Sequence, residues 1–215
     1  MLKNPHFPDH LTSTRPRLDG AAVCSDPFRR SAMTASTLWR RLDRPGHEAG
    51  HLDATDAGRW LSGTAVFQWD GRTCDLAYRV RCDADWQTTV ATVTGRVDAE
   101  PVNLTIAADA DRRWSLNDVP CPALEGCTDV DLGFSPSTNL LPVRRLALAI
   151  GESADVRAAW LRFPELTLEP LPQVYRRMGE RTYRYESGGG TFARTLTVDE
   201  AGFVTLYPGL WEAER

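Results

Sequence analysis

The chain is 215 residues long, 42% hydrophobic and 25% charged, with a formal net charge of −4 at pH 7. That mixture suits one globular domain burying roughly 70% of its unfolded surface, with no need for metal or disulfide staples. No apolar run approaches the roughly 18 residues of a membrane-crossing helix, and the acidic balance argues against nucleic acid as a partner.

Residues 1–33 mix Pro, Asp, Arg and Ser without apolar periodicity and hold no signal-peptide core. They are expected to be a disordered N-terminal extension, net +2, ahead of a single domain at 34–215 with net −6. Met33 would serve equally well as a start, and without an export signal the cytoplasm is the expected location. Five cysteines, an odd number, read as free thiols. Cys74 and Cys82 are expected in the core, while the spacing of Cys121 and Cys127 fits no common zinc site and allows at most a local disulfide.

His47-Glu48-Ala49-Gly50-His51 spells H-E-x-x-H, which on a helix would set two imidazoles around zinc with the glutamate as general base. Pro45 and Gly46 before it and Gly50 within it oppose a helix. In a strand the two histidines would lie about 13 Å apart, too far for one metal. No metal is expected here, and no cofactor either: no dinucleotide fingerprint, phosphate loop or G-x-S-x-G occurs.

Strand signals then dominate. Cys74, Leu76, Tyr78, Val80 and Cys82 alternate with Thr73, Asp75, Ala77, Arg79 and Arg81, a period of two. Residues 60–69 precede them through Asp70-Gly71, a pair suited to a tight hairpin. Residues 86–97, 101–109 and 112–117 continue at meander spacing, and 154–163, 166–171, 173–178, 181–187, 191–198 and 203–207 extend the series. Asp129 and Asp131 alternate on a short strand between these groups, where pairing with Arg144 or Arg145 competes with cation binding. A helix is expected over about 139–150: Asn139 caps it, Pro142 falls where an amide lacks a partner anyway, and Gly151 closes it. The fold class is mainly β, a curled antiparallel β-roll or half-barrel of about ten strands with one packed α-helix. Most of the seven tryptophans are expected in its core.

LDRPGHE at 42–48, DVDLGFSPSTNLLPVRRL at 129–146 and LRFPELTLEPLPQVYRR at 161–177 resemble the putative glycolipid-binding protein family, over about residues 37–213. The resemblance implies a curled antiparallel roll that holds an amphiphile.

Arginine and tyrosine clustering supplies the candidate ligand-binding residues. Arg79 and Arg81 share one strand face, Trp160 and Arg162 another, Tyr175 and Arg177 a third, and Tyr183 and Tyr185 a fourth. If these faces converge they form a basic aromatic wall, with guanidinium forks for phosphate or carboxylate and rings for sugars and acyl chains. Otherwise they are cross-strand pairs with Asp75, Glu180 and Glu186. The expected function is non-catalytic binding of a glycolipid-like or other amphiphilic small molecule in the concave face. A sugar or lipid hydrolase and a protein-interaction module are the alternatives.

Overall fold

In the computed structural model, which describes residues 33–55 and 58–214, alternating sequence becomes strand almost throughout. Met33–Arg41 (β1), Gly46–Thr55 (β2), Gly58–Trp69 (β3), Arg72–Cys82 (β4), Thr88–Val97 (β5) and Glu100–Ala108 (β6) form an antiparallel meander, extended by the short strands Trp114–Leu116 (β7) and Val119–Pro120 (β8). Ser153–Arg162 (β10), Thr167–Arg177 (β11), Thr182–Ser187 (β12), Phe192–Val198 (β13), Val204–Tyr207 (β14) and Trp211–Ala213 (β15) form a second meander. Asp129–Leu132 (β9) runs parallel beside β10, and β15 pairs with β1. The result is one sheet of fifteen strands with β8 and β9 at its edges.

Fifteen strands replace the expected ten or so because β1 and β2 carry little hydrophobic alternation, while β8, β9 and β15 are only 2, 4 and 3 residues long. The segments 166–171 and 173–178 fuse into β11, which contains Pro170 and Pro172. Pairing with β12 begins only at Gln173, so both prolines lie where that side of the strand is an open edge. Asp70 and Gly71 adopt φ 48° and 81° and join β3 to β4 as their sequence implies. Met33, grouped above with the extension, opens β1; the disorder expected for 1–32 lies outside the described residues.

The sheet is open in its hydrogen-bond order, yet it curls until β9 reaches the start of β5. Thr88 N–H donates to Thr128 O at 3.1 Å, and Val130 N–H to Thr88 Oγ1 at 3.0 Å. The concave face is occupied by residues 133–146. Phe134, Leu140 and Leu141 are fully buried there, and Phe134 packs against Phe67, Tyr78 and Phe163. A trough open along the whole curl is therefore replaced by a core.

The helix is shorter than its sequence implies. A 3-10 turn over Ser137–Asn139 leads into Leu140–Leu146 (α1), and Ala147 in the left-handed region at φ 45° ends it. Asn139 makes no side-chain cap bond; its amide donates to Pro136 O and its Oδ1 accepts from Tyr175. Ile150, within the expected helix span, lies beyond the end of α1 and is exposed. Of the tryptophans only Trp39, Trp114 and Trp211 are fully in the core, while Trp60, Trp69, Trp86 and Trp160 are half-buried.

Candidate functional site: a buried acid and a polar-aromatic cavity

HEAGH lies in β2, where alternation turns Glu48 inward and leaves His47 and His51 exposed on the outer face. Glu48 is 1% exposed, and its Oε1 accepts from Tyr78 Oη at 2.7 Å and Ser135 Oγ at 2.5 Å. Ser137 Oγ lies 2.7 Å from Ser135 Oγ. Oε2 is buried without a partner among the described residues. Burial pushes the carboxyl up from 4.5 to about 8, although both hydroxyls and the Arg41 charge pull it down. Burial thus favours the protonated form of Glu48. Tyr78 reaches it from β4 by passing over Gly63 of β3, where any Cβ would strike the phenol and the Ala49 carbonyl. Beside it Arg41, also inward, grips Asp43 with two bonds of 3.1 Å and lies between the rings of Phe67 and Trp211, at 4.8 and 4.6 Å.

Ser135 is also part of the wall of a cavity of about 360 Å³ between residues 131–139 and strands β10 to β15. Trp160, Tyr185, Phe192, Tyr207 and Trp211 supply rings, and Asp131, Ser135, Asn139 and Ser187 supply polar groups. Asp131 Oδ2 accepts from Gln173 Nε2 at 2.6 Å, and among the described residues Oδ1 has no partner. Burial first, and the charge of Asp129 second, raise its pKa from 3.8 to about 6. Asp129 itself is spent on Arg145, at 2.6 and 3.1 Å. The two aspartates thus part company: one is a structural ion pair, the other a carboxylate facing a cavity.

The sequence-derived wall divides. Tyr175 stands opposite Tyr185, and Arg177 opposite Tyr183, all on the inner face. Trp160 and Tyr185 line the cavity, whereas Tyr175 is buried behind it and donates to Asn139 at 2.9 Å. Arg177 and Tyr183 line a second cavity of about 390 Å³ with Trp86 and Arg144. There Arg177 spends its donors on the carbonyls of Leu148, Gly179 and Glu180. Arg79 and Arg81 point outward and lie over Trp60, at 4.0 and 5.5 Å. Arg162 shares Trp160's face but sits at the strand end, 47% exposed and paired with Glu165 and Glu169. These three arginines do not join the others because alternation on β4 and the end of β10 carry them away from the interior. Cys121 and Cys127 are both free.

Residues 36–213 match the family described as "Putative glycolipid-binding". The chain belongs to this family. It is also similar to a DUF1089 family protein of Pseudomonas aeruginosa known from a crystal structure, with 31% identity and a TM-score of 0.64 over 90% of this chain and 99% of that one. No curated protein matched. Family membership does not single out the acids in this chain. Glu48 was within reach of sequence reasoning as a carboxyl in phase with Gly50 and Leu52 on a buried strand face; Ser135 and Trp211 carried no periodic signal.

Proposed function

We propose that the protein binds the polar headgroup of a glycolipid-like amphiphile in the cavity bounded by Asp131, Ser135, Asn139 and the rings of Trp160, Tyr185 and Tyr207. The observation that carries this reading is the half-buried Asp131 carboxyl, which lines the cavity beside aromatic rings and, among the described residues, is bonded only through Oδ2, to Gln173. Rings stack on the apolar faces of sugars, and a carboxylate takes their hydroxyl protons. About 360 Å³ lies at the small end of ligand pockets, roughly 300–1,000 Å³, and so fits a headgroup with the first part of a chain rather than a whole lipid. Binding is favoured over hydrolysis by Ser135 because its hydroxyl is engaged with Glu48 and Ser137 and, among the described residues, no histidine bonds it. The four described cysteines, all free, fit a reducing compartment such as the cytoplasm.

Titration with octyl glucoside tests this. Leu171→Trp, which fills the cavity wall, should weaken binding at least about tenfold with the fold intact by thermal melting, while Arg79→Ala on the outer face should leave it unchanged. Equal binding by Leu171→Trp, or loss in Arg79→Ala alone, would place the site elsewhere.

A further inference from the structure

We propose that this cavity selects a headgroup bearing a protonated amine, seated against Asp131 among the aromatic rings. The inference rests on reading the cavity as the headgroup site. Asp131 is the one charged residue among the described cavity-lining side chains. Among the described residues its carboxyl is hydrogen-bonded only by the neutral amide of Gln173. The nearest arginines of the flanking elements do not line the cavity: Arg145 pairs with Asp129, Arg41 with Asp43 while its Nη1 is without a partner among the described residues, and Arg162 with Glu165 and Glu169. Arg194 bonds the carbonyls of Ala193 and Pro208.

A carboxylate drawn partly out of water without a counterion is costly, and among the described residues none forms an ion pair with Asp131. A ligand ammonium would supply the counterion. The rings of Trp160, Tyr185, Phe192 and Tyr207 offer the electron-rich surfaces that attract such a cation. A neutral sugar would leave the charge uncompensated, and an anionic headgroup would be repelled. Asp131, held at about 6, is mostly ionised at neutral pH, so the attraction operates there.

Three probes of equal chain length test the selection at pH 7.5: octyl glucoside, octyl 2-amino-2-deoxyglucoside and octyltrimethylammonium. The amino glycoside should bind at least about tenfold more tightly than the glucoside, and Asp131→Asn should erase the difference. Binding of octyltrimethylammonium as tight as that of the amino glycoside would keep the cation and assign it to a non-sugar headgroup. Equal affinity for both glycosides in the unmodified protein overturns the inference and leaves the cavity reading standing. Absence of binding by all three overturns both. The comparison in the unmodified protein holds whether or not the variant folds well.

Discussion

Among the described carboxyl groups Glu48 is the one whose pKa the fold raises furthest. An unfolded chain ionises it near 4.5, and the folded one near 8. Between those values the native state binds the extra proton, so the stability this group contributes is complete below about pH 4.5 and is lost as pH rises through 8. Asp131, raised to about 6, acts with the same sign over a shorter window. Glu48→Gln, a neutral isostere whose carbonyl can still accept from Tyr78 and Ser135, should leave stability at pH 5 within about 1 kcal/mol. At pH 8.5 it should raise stability by a few kcal/mol, because no buried proton need be released. Melting curves from pH 5 to 9 check this; parallel curves for both proteins would refute it.

Two elements hold the interior polar groups, and each depends on one close contact. Strand β3 lets Tyr78 cross to Glu48 only because Gly63 has no side chain. Gly63→Ala should push the phenol off the carboxyl and cost about 2–4 kcal/mol, overpacking plus a lost hydrogen bond, visible in chemical denaturation. The segment 133–146 is tied to β11 by Tyr175 and Asn139. Tyr175→Phe should cost about 1–2 kcal/mol, since it leaves the buried Asn139 oxygen unpaired, and should also weaken octyl glucoside binding, since Asn139 lines the cavity. Loss of stability with unchanged binding would mean that the tether does not shape the site.

At the scale of the molecule the curl is sewn together by Arg112, which donates to Thr88 O and Thr128 O at 2.7 Å and to Cys127 O at 3.2 Å. These carbonyls come from β5 and from the approach to β9, so one side chain joins the middle of the first meander to the edge beside the second. Arg112→Ala should cost roughly 2–4 kcal/mol and speed hydrogen exchange at Thr88 and Val130, whose amides lie on that seam. Faster exchange confined to β7 and β8 would show that the seam is held by packing alone.

The sequence by itself determined the elements whose chemistry is local. Alternation on β4 put Cys74, Leu76 and Tyr78 on one face and Arg79 and Arg81 on the other, and Asp70-Gly71 set the hairpin. Gly46 and Gly50 kept HEAGH out of a helix. Family resemblance implied a glycolipid-like ligand class, which no residue pattern could supply. What lies inside the curl was decided only by tertiary structure. Glu48, Tyr78 and Ser135 come from three distant segments, and Asp131 meets Gln173 across 42 residues. Periodicity reports which side of an element is apolar, and it carries no information about which inward polar groups a curling sheet will bring together. Desolvation, the largest cause of both raised carboxyl pKa values, depends on that assembly.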